Sequence, residues 1–160
     1  MKKLLIYYSY SGNTKSIANK IKEKINCDEI ELETKIPYDS NYDKVVEQAK
    51  TEIKNNYQPE LKEIKIDIEK YDTLIIGMPV WWYTFAPPIK TFLNSYDLSN
   101  KKIIPFITNG GWIGHTIKDI KKACPNSEVI NDINLLFEEK NLQNTNEFNN
   151  WLEKLTMERK

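Results

Sequence analysis

Three stretches of the chain are apolar almost without interruption: Lys3–Tyr8, Thr73–Met78 and Ile103–Thr108. Each has the length of a strand and is too short for a buried helix. A strand with one wet face alternates apolar and polar residues, whereas a strand covered on both faces need not. Such runs belong inside a parallel sheet, and parallel strands need long crossovers, usually helices. The intervening segments carry helical stripes: Ile17, Ala18, Ile21 and Ile25; Val45, Val46, Ala49 and Ile53; Ile89, Phe92, Leu93 and Tyr96; Ile117, Ile120, Ala123 and Cys124; and Phe148, Trp151, Leu152 and Leu155. Shorter runs at Glu29–Glu33 and Glu128–Ile130 add two strands. Five strand–helix repeats predict an α/β fold, a doubly wound five-stranded parallel sheet with helices on both faces, in a single domain over residues 1–160.

Two segments leave alternatives open. Pro37 and Pro59 bracket one helix within residues 34–72, and the following ELKEIKIDIEKYD alternates Ile64, Ile66 and Ile68, as either a short edge strand or an extended crossing. The many charges there, Glu52 among them, read as a solvated face. Residues Ile130–Glu139 form a small extra strand pair or an extended loop.

Composition narrows the partners. With 23 Lys+Arg against 23 Asp+Glu the formal net charge is +0, so no global field draws nucleic acid or an anionic membrane. Two cysteines far apart, Cys27 and Cys124, and a single His115 offer no metal-ligand spacing. The cysteines read as apolar packing residues of a reduced compartment. The opening MKKLLIYY ends too soon for a secretory signal, and no segment approaches transmembrane length. A soluble, cytoplasmic protein without metal is expected.

In an open parallel sheet, ligands bind beyond the carboxyl ends of the strands. Three strand ends here carry unusual loops. After the first strand comes SYSGNT: Ser9, Tyr10, Ser11, Gly12, Asn13 and Thr14. One helix cap needs one hydroxyl or amide, and this loop has a surplus, with a glycine to bring backbone close to a ligand. At a helix start it makes an anion site of the kind that suits phosphate. It lacks the Gly-Lys-Ser/Thr of a nucleotide P-loop, so no dedicated lysine is expected, and without Cys or Arg it is no phosphatase loop. The second loop follows the third strand: Pro79, Val80, Trp81, Trp82, Tyr83 and Thr84, with Phe85 behind. These aromatics form a stacking platform for a flat heterocycle, a hydrophobic plug or a partner surface. The third is Thr108, Asn109, Gly110, Gly111, Trp112 and Gly114, polar atoms and glycines around one indole. His115 beside it reads as a helix-start residue, since no partner for it is visible. Phosphate cradle, aromatic platform and glycine loop together suit one phosphate and one flat ring, of which flavin mononucleotide (FMN) is the simplest case.

With SYSGNT, GMPVWWYTFAPPIKTFL and TNGGWIGHTIKDIKKACPNSEVI in this order, the chain resembles the flavodoxin family over nearly its whole length. The resemblance is to short-chain members, without the long insertion that splits the last strand of long-chain members. It implies strand order 2-1-3-4-5 and a tightly but non-covalently bound FMN. Ser9, Ser11, Gly12, Asn13 and Thr14 would hold its phosphate, with Tyr10 packed beside or over the loop. Pro79–Thr84 would line one side of the isoalloxazine, and Thr108–Trp112 with Gly114 the other.

Two departures from the family pattern matter. Carrier flavodoxins are usually strongly acidic, and this chain is neutral. A glycine after the third strand commonly lets a peptide flip toward the reduced flavin, yet residues 78–109 contain none. A non-glycine entering a left-handed geometry costs ~1–2 kcal/mol. Two-electron chemistry is therefore expected over one-electron transfer. The readings are a carrier serving a redox partner protein, or a small oxidoreductase passing electrons from NAD(P)H to a quinone-type small-molecule acceptor. A phosphate-binding, receiver-like module lacks the acidic cluster it needs, and a flavin-free interaction module leaves SYSGNT unexplained. The flavin would do the chemistry, and no side chain stands out as catalytic.

Overall fold

The computed structural model describes residues 2–157. In chain order the elements are β1 (Lys3–Tyr7), α1 (Asn13–Lys24), β2 (Asp28–Glu31), α2 (Tyr42–Lys54), β3 (Thr73–Trp81), β4 (Thr84–Phe85), α3 (Pro87–Ser95), β5 (Lys102–Asn109), α4 (Thr116–Ala123), β6 (Glu128–Val129), β7 (Ile133–Glu138), β8 (Asn141–Leu142) and α5 (Thr145–Met157). The sheet path runs β2-β1-β3-β5-β7-β8. The first four positions are parallel, and β6 and β7 both lie parallel to β5 at the fifth. This is the expected 2-1-3-4-5 order with three small additions: the last parallel position is split, β8 folds back antiparallel on β7, and β4 folds back on the end of β3.

The continuous apolar runs are explained by burial on both faces. Leu4 and Ile6 of β1, with Leu74 and Ile76 of β3, join Ile89, Phe92 and Leu93 of α3 and Ile120 of α4 in one layer. Leu5, Tyr7, Ile75, Ile104 and Phe106 join Ile17 and Ile21 of α1 and Phe148, Trp151, Leu152 and Leu155 of α5 in the other. Alternate residues thus feed opposite layers, as pleating requires. Gly77 lies opposite Phe106 in the register, and a Cβ on it would sit 2.0 Å from that ring, so the glycine gives the phenyl its place.

Local chemistry sets the helix ends. Asn41 caps α2 by accepting from the Lys44 N–H at 3.2 Å. Pro87 and Pro88 open α3, where their missing N–H groups are not needed. The alternating isoleucines do not make a strand. Leu61 forms one isolated bridge to Thr34, the chain then crosses extended, and a single 3₁₀ turn at Ile68–Lys70 leads into β3. Glu52 is not on a solvated face. It is 8% exposed and accepts from the Tyr38 hydroxyl at 2.6 Å and the Gln48 amide at 2.7 Å. Residues Ile130–Glu139 contain all of β7, whose Ile133, Leu135 and Phe137 are buried.

The chain leaves β1 for β2 on one side and returns to β3 on the other. Connections from neighbouring strands therefore diverge at β1/β3, and a crevice opens there beyond the strand ends.

Candidate functional site

At one end of that crevice α1 begins on Gly12, at φ 102 and with no side-chain cap. No acidic residue in the first turn balances the positive end of the helix. The Ser9 hydroxyl accepts from the Lys15 N–H at 3.2 Å, and the Ser11 hydroxyl meets the Asn13 N–H only at 3.5 Å. The Asn13 amide donates to the Glu139 carbonyl at 2.9 Å, tying the loop to the β7–β8 turn. Beneath it the buried Thr14 and Thr108 hydroxyls pair at 2.7 Å, joining the first loop to the third. The Tyr10 hydroxyl donates to the Asp39 carbonyl at 2.5 Å.

At the other end β3 and β4 form a hairpin. Trp81 pairs with Thr84, leaving Trp82 and Tyr83 as a two-residue turn with φ of 50° and 69°. Left-handed backbone at both positions is the type I′ arrangement, usually given to Asn and Gly, and costs a non-glycine roughly 1–2 kcal/mol. Packing holds it there. The Trp82 indole N–H donates to the Val46 carbonyl of α2 at 2.8 Å, with the Lys50 ammonium 5.2 Å above the ring. The Tyr83 carbonyl accepts from the His115 N–H at 2.8 Å. Gly114 lies so close beneath that a Cβ would be 2.3 Å from the Tyr83 oxygen.

The three aromatics separate by role. Trp81 is half-buried and takes the edges of Tyr8, Tyr10 and Tyr38. Burial, first of all, raises the Tyr8 and Tyr38 phenols well above the usual range, and for Tyr38 the bond to Glu52 adds to it, so both stay neutral. Trp82 is pinned to α2. Tyr83 is 49% exposed and Trp112 66%, their rings 4.9 Å apart and tilted by 53°. These two form the free aromatic rim.

A cleft of about 1000 Å³ connects the two ends. Of the residues expected from sequence it gathers Tyr10, Ser11, Asn13, Pro79, Val80, Trp81, Trp82, Tyr83, Thr108, Asn109, Gly110, Gly111 and Trp112, with Tyr42, Val45, Val46 and Ala49 of α2 as a further wall. Gly110 and Gly111 face open space, with nothing within 4 Å of a Cβ on either. Five expected residues do not line it. Ser9, Gly12 and Thr14 support the first loop from within, and Gly114 sits under Tyr83. Thr84 is buried, and its hydroxyl donates to the Asp119 carboxylate at 2.6 Å.

Two features were hidden in the sequence. His115 has a partner one turn along α4, the Asp119 carboxylate at 2.5 Å from Nδ1, an i,i+4 pair that spacing could have revealed. It lines a separate cavity of about 590 Å³ with Thr84, Lys90 and Lys122. The other is Lys140, whose ammonium donates to the Ser11 carbonyl. No cluster of three or more His, Cys, Asp or Glu among the described residues could hold a metal ion. Cys27 and Cys124 are buried free thiols, and burial pushes Cys124 up to about 11.

The chain matches the flavodoxin family over residues 2–155 and belongs to it. Among solved structures it is similar to a flavoprotein in complex with FMN from Lactobacillus acidophilus NCFM, at 30% identity over 83% of this chain and 91% of that one, with TM-score 0.74. It is also similar to a protein from Bacteroides eggerthii DSM 20697 assigned as a flavoprotein, at 26% identity over 96% of both chains and TM-score 0.80. Oxidised Flavodoxin 2 from Bacillus cereus shares the fold, at 19% identity over 98% of this chain and 96% of that one, with TM-score 0.55. No curated protein compared with the chain matches it.

Proposed function

We propose that this chain is an FMN-dependent redox protein whose cofactor lies along the cleft, phosphate at SYSGNT and isoalloxazine at the Tyr83–Trp112 rim. One observation carries the reading: a single cleft joins the start of α1, which has no acidic residue in its first turn, to two exposed aromatic rings. The residues fit the group. Backbone N–H groups after Gly12, with the Ser11 hydroxyl and the Asn13 amide, can receive a phosphate, while Ser9 steadies the loop through the Lys15 N–H. Thr14 works below them, through Thr108. The open space at Gly110 and Gly111 is where a Cβ would intrude on a ligand. Pro79, Val80, Trp81 and Trp82 form the wall, and Thr108 and Asn109 the polar side. Thr84 and Gly114 hold the rim loops in place. When bound, FMN supplies the electron-transfer chemistry, while the chain orients it and limits water at the ring.

A specific observation favours a two-electron reductase over a one-electron carrier. The turn that would reorganise against a changing flavin is held at its Tyr83 carbonyl by the His115 N–H, with Gly114 packed beneath. The +0 net charge also removes the acidic field that steers carriers to their partners. The acceptor is then a small molecule of quinone type more readily than a protein. No helix among the described residues is long and apolar enough to cross a membrane, and two buried free thiols suit a cytoplasmic setting.

The test is a reductive titration of the FMN-loaded protein followed by absorbance. Direct passage from the oxidised to the fully reduced spectrum supports the two-electron reading, whereas a third spectrum persisting over a wide potential range returns the protein to the carrier class. A chain that takes up no FMN refutes the proposal.

A further inference from the structure

We infer that Lys140 is the countercharge for the cofactor's phosphate and makes the site selective for the phosphorylated flavin. This rests on the FMN reading above and goes beyond it, because the SYSGNT loop contains no cation and has no P-loop lysine. The structure supplies one from the far end of the chain. Glu138 pairs with Asn141, so Glu139 and Lys140 form the two-residue turn between β7 and β8. Glu139 takes φ 56, a left-handed conformation that tightens the turn. The Asn13 side chain donates to the Glu139 carbonyl at 2.9 Å and fastens this turn over the loop. From there the Lys140 ammonium donates to the Ser11 carbonyl and lies 3.7 Å from where a Cβ of Gly12 would stand.

That position is beside the N–H groups that open α1. A phosphate seated on them meets the ammonium directly, a charge-assisted contact on top of the neutral cradle. Lys15, the nearest cation in sequence, is instead paired with Glu31 at 3.1 Å. Riboflavin, which has the ring and ribityl chain but no phosphate, gains nothing from Lys140.

The experiment compares FMN and riboflavin binding to the apoprotein by quenching of flavin fluorescence, in wild type, Lys140→Met and Lys140→Arg. Lys140→Met is expected to weaken FMN about tenfold, or ~1.4 kcal/mol, and to leave riboflavin unchanged. Lys140→Arg is expected to keep most of the FMN affinity. The FMN affinity of wild type should also fall more steeply with added salt than that of Lys140→Met. Unchanged FMN affinity in Lys140→Met overturns the inference, and so does an equal loss for both flavins, which would mark Lys140 as structural. Wild-type protein that binds neither flavin fails the FMN reading itself and takes this inference with it.

Discussion

At the SYSGNT end of the cleft the hydroxyls are tied into the protein: Ser9 to the first turn of α1, Thr14 to Thr108, Ser16 to the Asn13 carbonyl and Tyr10 to the Asp39 carbonyl. At the other end the rings of Tyr83 and Trp112 stand about half or more in solvent, Tyr83 on a turn whose two residues occupy a left-handed conformation better suited to glycine. The first end is organised before any ligand arrives, so little entropy is lost when a phosphate settles there. The second is strained and unfinished. Two rings 4.9 Å apart leave no room for a third between them, since a sandwiched ring needs ~7 Å. On the proposed FMN reading, the flavin would either part Tyr83 from Trp112 or stack on one of them, so the phosphate end would be fixed and the ring end would adapt.

The sharpest way to break the contrast is Gly114→Ala. The new Cβ would press on the Tyr83 carbonyl at φ 59, and both clash and strain act on backbone. Stability should fall by ~3 kcal/mol, read by urea unfolding. A loss under ~1 kcal/mol would mean the rim loops are not packed as described.

Trp112→Ala separates the ends by ligand. It should leave thermal stability nearly unchanged and weaken FMN and riboflavin alike by ~1–3 kcal/mol, because stacking ignores the phosphate. Loss confined to FMN would place the ring elsewhere. Thr14→Val probes the prepared end. Removing the buried pair with Thr108 should cost ~1 kcal/mol of stability, measured by the same unfolding, with the loop less protected from amide exchange. Smallest is Tyr83→Gly. Relief of the left-handed strain, against the lost contact with Trp112, should give a net gain below ~1 kcal/mol, while the freed turn moves the redox titration toward carrier behaviour. Clear destabilisation instead would show that the Tyr83 ring, rather than the His115 bond, holds the turn.

Much of this was legible in the chain. The runs at β1, β3 and β5 are apolar throughout because both faces are covered, and that leaves few alternative folds. The three loops that meet at the cleft stand out because each follows such a run directly. What stayed hidden depends on distance or on compensation. Lys140 lies 129 residues from Ser11, and nothing local to either marks the contact. β7 is a short strand beside the sheet edge in which only alternate residues are fully buried, so it lacks the continuous apolar run that marks β1, β3 and β5. Glu52 is buried with donors from Tyr38, 14 residues earlier, and from Gln48, and nothing local marks the first of them. No glycine follows β3 to take up left-handed backbone without strain. Trp82 and Tyr83 adopt it anyway, held by α2 and by the third loop, because tertiary packing can outweigh a local cost of this size.

The central claim, one FMN spanning both ends of one cleft, is tested most directly by titrating the apoprotein with FMN while following flavin and tryptophan fluorescence together. The account predicts saturable one-to-one binding in which flavin emission and Trp112 emission are quenched in step, with the tryptophan part lost in Trp112→Ala. Binding that leaves the Trp112 signal untouched, or no binding, would contradict it.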